Sequence, residues 1–395
     1  MKIAVLTSGI LPVPAVQGGA VENLIDFYLE YNEQHHLHDI NVISIWHPDV
    51  RNHSKKESKD NHYQYIKQNG LLAKINKFIY QKRHQNEFYH YTIEYYFEQA
   101  YKKIKEEVYD LIIVENRPGF VLKLKERTKT PCILHLHNDF LYPETYRAKE
   151  MYNAYHRIIC VSDYITNRVQ GISPSSIGKC KTIYNAIDLK RVEYSIPVKR
   201  ESIGLCDKDF IIIFSGRLTE EKGILQLIQA IKQTQDIPNI KLVIIGASTY
   251  GKDYNPTSYI KQLMAESEPI KNHVVFTGFV NYDQVLSYLK MADIAVVPSM
   301  WEEPFGLTVV EALAAGLPLI ATNSGGIPEI CNGVATIINR ENIVSNITNA
   351  ILDLYEHPEK RRVMSEAALK RSKLFSKERY AREFFEALET TTYIF

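Results

Sequence analysis

The hydrophobic residues of this chain fall into short continuous runs that alternate with segments of helical periodicity. Runs such as KIAVLTSGI at the amino terminus, IKLVIIGA in the middle and DIAVVPS near residue 294 are bounded by turn residues. Continuous apolar runs of this length are typical of parallel strands that are covered on both faces. Because these strands alternate with helices, we predict an α/β fold made of doubly wound parallel sheets.

The periodicity is lost between about Asp188 and Asp207, a stretch that includes Pro197. We interpret this stretch as a linker, since 395 residues are enough for two domains of ordinary size. The predicted domains are residues 1–195 and residues 206–375. A final helix is predicted in residues 376–395.

The pattern is least regular between residues 51 and 109, where we predict two helices from residue 62 onward. The early part of this stretch is basic and amphipathic, with lysine and arginine interleaved among apolar residues: Lys67, Lys74, Lys77, Lys82 and Arg83 among Leu71, Leu72, Ile75, Phe78, Ile79 and Tyr80. A basic amphipathic helix can lie on an anionic membrane surface. The alternative is an ordinary domain helix that packs its apolar stripe inward.

Composition narrows the class of protein. The chain is 45% hydrophobic and 24% charged, as in a globular protein, and its net charge of +1 argues against a nucleic-acid-binding protein. The five cysteines are widely spaced and form no CxxC pair, which favours reduced thiols over disulfides or zinc. No apolar run approaches 18 residues, and Met1 leads directly into a strand. We therefore expect a cytoplasmic protein.

The most informative stretch runs from Ala295 to Glu329. A buried strand ends at Pro298 and Ser299, and a helix is predicted from about Phe305 to Gly316. The amino end of a helix carries uncovered amides and about half a positive charge, which makes it an anion site. Two carboxylates beside an anion site, Glu303 and Glu311, suit a phosphate joined to sugar hydroxyls, as in a nucleotide sugar. The alternative is an ordinary αβ unit with two solvated acids.

The segment EEPFGLTVVEALAAGLPLIATNSGGIPE resembles the signature of retaining glycosyltransferases of family 4, in which two glutamates are separated by seven residues and followed by a GGIPE turn. The resemblance implies the GT-B architecture, with two Rossmann-like domains facing a cleft and a last helix that returns to the first domain. It assigns Glu303 to the donor sugar and Glu311 to the ribose. The amides that it directs at the sugar and diphosphate are those of Phe305, Gly306, Leu307 and Thr308.

A second match lies upstream in SGRLTEEKG, where Arg217 and Lys222 resemble the family's diphosphate-binding pair. In the first domain, Gly18 and Gly19 resemble its donor-facing glycine loop, and LPVPAVQGGA resembles the opening of the spore-coat and surface-polysaccharide branch. His137, in HND after a strand, resembles the family's histidine near the donor sugar. In KTIYNAIDL, Ala186 replaces the glycine of the family's Asn-Gly-Ile-Asp turn.

His135 lies on the same strand face as His137, and we expect it to make a structural hydrogen bond. Metal binding by the two histidines is disfavoured, since the sequence suggests no third ligand nearby. Asp207 and Asp209 form an Asp-x-Asp motif in a turn, which we attribute to chance. We therefore expect neither a metal nor another cofactor.

The resemblance implies a retaining glycosyltransferase whose catalytic residues are His137, Glu303, Arg217 and Lys222. Its donor would be a UDP-sugar and its acceptor a glycan, a lipid-linked or a protein-linked molecule, in the synthesis of cell-surface polysaccharide or glycoconjugates. Two alternatives remain: a non-hydrolysing sugar-nucleotide epimerase of the same fold, and a catalytically idle coat or surface scaffold.

Overall fold

The computed structural model describes residues 1–52, 58–82, 90–175, 178–247 and 257–392. Arg83, part of the predicted basic helix, lies outside these ranges. The chain forms two compact units. The first comprises Met1–Asn185 and the carboxyl-terminal segment that begins at Lys377, and the second comprises Ala186–Ser376.

The first unit is built on a seven-stranded parallel sheet of order β3-β2-β1-β4-β5-β6-β7. Its strands are β1 (Lys2–Leu6), β2 (Asp39–Ile45), β3 (Asn61–Ile66), β4 (Leu111–Glu115), β5 (Cys132–Leu136), β6 (Arg157–Cys160) and β7 (Cys180–Thr182). Chain connections leave β1 and β4 in opposite directions. The carboxyl ends of these two strands therefore border the position at which open α/β sheets bind ligands.

The helices of the first unit include one from the far end of the chain. They are α1 (Ala20–His35), α2 (Leu71–Gln81), α3 (Tyr91–Ile104), α4 (Phe120–Leu124), α5 (Ala148–Ala154), α6 (Asp163–Gln170) and α15 (Lys377–Thr392). Helix α15 packs on α1, where the rings of Tyr28 and Phe384 are stacked with centroids 4.4 Å apart. Helix α6 is capped by Ser162, whose side chain accepts a hydrogen bond from the Ile165 amide.

The second unit is built on a six-stranded parallel sheet of order β10-β9-β8-β11-β12-β13. Its strands are β8 (Phe210–Ser215), β9 (Ile240–Ile245), β10 (Val274–Gly278), β11 (Ile294–Val297), β12 (Leu319–Thr322) and β13 (Thr336–Ile338). Its helices are α7 (Leu189–Tyr194), α8 (Ile224–Lys232), α9 (Ser258–Ser267), α10 (Tyr282–Leu289), α11 (Leu307–Ala314), α12 (Ile327–Cys331), α13 (Ile343–Glu356) and α14 (Pro358–Ser372). The predicted α/β class with two Rossmann-like domains is confirmed.

Two local predictions differ from the structure. Residues 62–66, predicted as the start of a helix, belong to β3, because the alternating segment around Tyr63 and Tyr65 pairs in parallel with β2. The predicted linker contains α7, which Asp188 caps by accepting a hydrogen bond from the Lys190 amide. Helix α7 contacts α10 and belongs to the second unit, so this unit begins at Ala186 instead of residue 206.

No helix in the described ranges is long and apolar enough to cross a membrane.

Candidate functional site

The centre of the second unit's site is the junction between β11 and α11. Gly306 precedes α11 with a φ of 113°, in the region that favours glycine, and no side chain caps the helix. The first amides of a helix have no partner within it and carry its partial positive charge. The predicted anion site, formed by the amides of residues 305–308, therefore lies at an uncapped helix start.

Glu303 is held at this junction by two side chains from different segments. Lys222 Nζ and Ser299 Oγ both donate to Glu303 Oε1, each at 2.6 Å. The Glu303 residue is buried, and the Lys222 ammonium also lies 5.1 Å from the centroid of the Trp301 ring. The structure thus joins a residue predicted to bind the diphosphate to one predicted to bind the sugar. Ser299 and Trp301 were not among the predicted site residues.

Two glycines allow the segments around Glu303 to approach each other. A Cβ on Gly223 would lie 1.9 Å from the carbonyl oxygen of Pro298, and one on Gly325 would lie 2.1 Å from that of Glu303. Both glycines have positive φ, and the Gly326 amide donates to Glu303 O at 2.8 Å. Gly223 and Gly325 therefore have the same role. Each lets two backbone segments pack closely at the site.

Glu311 lies within α11 and is buried. Burial raises the pKa of its carboxyl group to about 7, against the opposing effects of a hydrogen bond with Tyr282 and the charge of Arg191. The guanidinium of Arg191 forms an ion pair with Asp283 and lies 5.0 Å from the centroid of the Tyr282 ring. Tyr282 was not predicted, because it lies on α10 and no sequence motif links it to Glu311.

Arg217 differs from Lys222 in having no contact with Glu303. Its guanidinium lies 3.6 Å from the Glu221 carboxylate, and its side chain is 44% exposed. An exposed pair of this kind contributes little to stability and is readily exchanged for another anion. In the turn before β8, Asp209 Oδ2 accepts a hydrogen bond from the Cys206 amide at 2.8 Å, which gives the Asp-x-Asp motif a local structural role.

The glycine loop of the first unit leads directly into α1. Gly19 is the N-cap of α1 with a φ of 104°, and no side chain caps the helix. A Cβ on Gly19 would lie 2.2 Å from Glu22 Oε2, whereas a Cβ on Gly18 would meet nothing within 4 Å. Burial, and less strongly the charge of Glu115, raises the pKa of Glu22 to about 7. The sequence interpretation did not identify Glu22 as a neighbour of this glycine loop.

His135 and His137 share one buried carboxylate, Glu115, at the end of β4. His137 Nε2 lies 2.9 Å from Glu115 Oε2, and His135 Nδ1 lies 3.2 Å from Glu115 Oε1. The Tyr28 hydroxyl donates to Glu115 Oε1 at 3.0 Å. Burial raises the pKa of Glu115, but the two imidazoles outweigh it and lower the pKa to about 2, while burial lowers the pKa of His137 to about 4. At neutral pH, Glu115 is therefore ionised and His137 is neutral.

These protonation states fix the hydrogen-bonding roles of His137. An ionised carboxylate only accepts hydrogen bonds, so His137 donates through Nε2 and its Nδ1 carries a lone pair. Within the described part of the chain, His137 Nδ1 is buried and has no hydrogen-bond partner. An unpartnered acceptor of this kind suits a hydroxyl group of a ligand.

Glu115, His135 and His137 also form the one group of side chains in the described ranges that could hold a metal ion. The expectation that the histidines lack a third ligand is therefore wrong, because β4 and β5 are adjacent and place Glu115 opposite His135. A bound cation would leave His135 Nε2 and His137 Nδ1 as buried N–H donors without acceptors in this part of the chain. Without a cation the same two nitrogens also lack partners there, as acceptors instead of donors, so the absence of a metal stays a prediction.

Two family models match the chain, one in the region of each parallel sheet. The family model described as Glycosyltransferase Family 4 matches residues 38–191, and the model described as Glycosyl transferases group 1 matches residues 195–371. Spore coat protein SA of Bacillus subtilis strain 168 is 30% identical over 343 residues, which cover 84% of this chain and 83% of the relative. Putative glycosyltransferase YtcC of the same organism is 29% identical, over 100% of this chain and 89% of the relative.

Solved structures show the same fold over nearly the whole chain. HepE from Anabaena in complex with UDP is 20% identical and has a TM-score of 0.72, with 99% of this chain and 100% of that chain covered. Sucrose-phosphate synthase from Thermosynechococcus elongatus is 19% identical and has a TM-score of 0.78, with both chains covered completely.

Proposed function

The chain belongs to glycosyltransferase family 4, in the branch of Spore coat protein SA, and from this premise we propose that it transfers a sugar from a UDP-sugar to an acceptor with retention of anomeric configuration. The observation that carries the proposal is the group of Lys222, Ser299 and Glu303 at the uncapped start of α11. The structures of HepE with UDP and with UDP-glucose support UDP as the nucleotide. The fold is of the predicted GT-B class.

In this proposal, donor binding exchanges the partners of Lys222. The diphosphate takes the place of Glu303 beside the Lys222 ammonium and draws Arg217 away from Glu221. Glu303 Oε1 keeps the Ser299 hydroxyl as a donor and gains room for a hydrogen bond from a sugar hydroxyl. As the bond to the diphosphate breaks, the two cations and the amides of α11 stabilise the negative charge that develops on the leaving group.

The Glu303 carboxylate stabilises the positive charge that develops on the sugar, and it is not a covalent nucleophile in this mechanism. Departure of the diphosphate and attack by an acceptor hydroxyl on the same face of the sugar give retention, and an oxygen of the leaving diphosphate takes the proton of that hydroxyl. His137 Nδ1 accepts a hydrogen bond from a hydroxyl of the donor sugar, and Glu311 accepts hydrogen bonds from the ribose. We assign the acceptor to glycans, lipid-linked or protein-linked molecules of cell-surface polysaccharide or glycoconjugate synthesis, in keeping with the name of Spore coat protein SA.

A panel of nucleotide sugars, analysed by mass spectrometry, tests the proposed function. We expect release of UDP from a UDP-sugar, with hydrolysis in the absence of an acceptor and transfer in its presence. Recovery of an epimerised nucleotide sugar would instead favour the epimerase. No change in any nucleotide sugar, with UDP not bound, would favour an idle scaffold.

The reaction should require no divalent metal, since Arg217, Lys222 and the start of α11 already serve the diphosphate. UDP release should therefore continue at an undiminished rate in excess chelator. Complete loss of activity that magnesium or manganese restores would contradict this prediction. The variants Asp207→Asn and Glu115→Gln would then show which carboxylate binds the ion.

We also propose that the protein is a cytoplasmic enzyme that touches the inner face of the membrane through α2. The apolar stripe of this helix points outward: Leu71 is 77% exposed and Phe78 is 59% exposed, with Ile75 and Ile79 exposed on the same face. Lys74 and Lys82 are exposed beside them. The alternative of an inward-facing stripe is wrong for these four apolar residues. The five free cysteines suit a reducing compartment.

Binding to vesicles tests the membrane contact. Each lysine near an anionic surface contributes about 1 kcal/mol of attraction, and this attraction is screened by salt. Sedimentation with anionic vesicles should therefore fall steeply as salt is added, and Phe78→Ser should weaken it further. Val363→Ser, which changes an exposed apolar residue of α14, is the matched control. Equal sedimentation with neutral and anionic vesicles would refute the contact.

A further inference from the structure

Arg117 occupies the ligand-binding edge of the first unit's sheet. It follows β4 by two residues, and its Nε donates to the carbonyl oxygen of Ser8, which follows β1, at 3.2 Å. The guanidinium therefore bridges the two strands from which the chain connections diverge. Asn116, between β4 and Arg117, adopts a positive φ of 56°, a conformation that turns the chain sharply at this point.

The segment from Glu115 to Arg117 also positions His137. Glu115 bonds to the imidazole of His137, and Asn116 Oδ1 accepts a hydrogen bond from the His137 backbone amide at 3.1 Å. Arg117 is the next residue along the chain. The chain segment that carries Arg117 is thus the one that holds the histidine that the proposed function assigns to the reacting sugar.

The charge of Arg117 has no counter-ion in the described part of the chain. The side chain is largely buried, and burial lowers its pKa. Its neighbour Tyr96 donates a hydrogen bond to Ile43 O at 2.6 Å and supplies no negative charge. By contrast, the guanidinium of Arg127 donates two hydrogen bonds to the Glu98 carboxylate, at 2.9 and 3.0 Å. A largely buried cation without a counter-ion is costly, so an anion from outside the chain is expected to bind it.

We propose that Arg117 binds an anionic group, a phosphate or a carboxylate, on the acceptor substrate. A guanidinium is planar and presents paired N–H donors, which match the oxygens of either group. The donor's diphosphate already has Arg217 and Lys222 in the proposed mechanism. The anion that binds Arg117 is therefore assigned to the acceptor. This inference rests on the proposed function.

Calorimetry with UDP saturating the donor site tests the assignment. The probes are inorganic phosphate, glucose 1-phosphate and glucuronate, with glucose as the neutral match. Wild-type protein should bind at least one charged probe about tenfold to a hundredfold more tightly than glucose, the range expected for hydrogen bonds to a charged group. Arg117→Gln should abolish this preference, Arg117→Lys should retain part of it, and Arg127→Gln should retain all of it. The two sugar probes distinguish a phosphate from a carboxylate.

The same preparations separate failure of this inference from failure of the proposed function. If Arg117→Gln weakens UDP binding as much as probe binding, the guanidinium serves the donor and the inference is wrong. It is also wrong if no charged probe binds wild-type protein better than glucose does, or if folded Arg117→Gln keeps the preference. If charged probes bind through Arg117 but no UDP-sugar is turned over, the transferase proposal is wrong and the anion site is still supported. Melting temperatures identify variants that do not fold.

Discussion

Glu303→Gln should lower turnover about a hundredfold at saturating donor, whereas UDP should still bind. Stabilisation of a developing charge by one preorganised group is commonly worth on the order of 3 kcal/mol, or about a hundredfold in rate. The glutamine keeps the size of the side chain and one oxygen for Ser299, but removes the negative charge beside the sugar. Lys222 loses its ion-pair partner in the free protein and stays available for the diphosphate.

Glu311→Gln should lower donor affinity instead of turnover. In the proposed mechanism the ribose is bound alike before and during the reaction, so loss of its contact with Glu311 should weaken donor binding and leave turnover at saturation nearly intact. A hydrogen bond to a charged group is worth about 1.5 to 3 kcal/mol, so UDP affinity should fall about tenfold to a hundredfold.

The raised pKa of Glu311 adds a pH dependence. In the protein without UDP, the carboxyl group of Glu311 has a pKa of about 7. Below that pH it is protonated and loses part of its capacity to accept hydrogen bonds from the ribose. Wild-type affinity for UDP should therefore fall as the pH drops below 7, by up to about tenfold per unit of pH. Glu311→Gln should lose this dependence, since its amide does not titrate.

Two measurements on each variant decide the assignments: UDP affinity by calorimetry and turnover at saturating donor. Glu341→Gln, which makes the same change on an exposed residue of the second unit, is the matched control. If Glu303→Gln loses UDP affinity while Glu311→Gln loses only turnover, the two assignments are reversed.

Glu115→Gln should lower turnover about tenfold to a hundredfold, although Glu115 need not contact the substrate. In the wild-type protein the carboxylate takes a hydrogen bond from His137 Nε2 and leaves Nδ1 as an acceptor. The glutamine can turn its NH₂ group toward Nε2, and His137 then carries its proton on Nδ1. The hydrogen bond that we assign to the donor sugar would be lost, so Glu115 acts as a positioning residue.

A double-mutant cycle with His137→Ala tests this route of action. If Glu115 works through the imidazole, Glu115→Gln should cost little further turnover once His137 is alanine, and the two losses should not add. The nitrogen chemical shifts of His137 should report the change of tautomer in Glu115→Gln. Additive losses, or unchanged shifts with reduced turnover, would contradict the positioning role. Lys123→Gln, at a salt bridge with Glu94 and Glu98, is a control for loss of a charge in the first unit.

Sequence patterns predict those features of this protein that depend on neighbouring residues. The apolar runs predict the parallel strands because a strand buried on both faces must be apolar throughout. The Ser162 cap is a local feature of the same kind, because its hydroxyl accepts a hydrogen bond from the amide three residues later. Residues 62–66 were predicted wrongly because a polar, aromatic edge strand lacks such an apolar run. Its pairing with β2 decides its conformation.

The family resemblance also identified Glu303, Glu311, the loop with Gly18 and Gly19, and the GGIPE turn. All of them lie in continuous sequence motifs. The roles assigned to these residues remain predictions. Their burial and partners could not be predicted in the same way. The raised pKa of Glu311, for example, arises from burial in α11, and its hydrogen-bond partner Tyr282 comes from another helix.

The sequence by itself therefore determined the fold class, the order of strands and helices along most of the chain, and the residues in its motifs. Tertiary structure decided which of these side chains meet. Lys222 reaches Glu303 across 81 positions, Glu115 reaches His137 across 22, and Arg117 reaches Ser8 across 109. These contacts depend on which strands lie side by side and where each strand ends. That arrangement is fixed by packing of the whole sheet, and no local spacing in the chain encodes it.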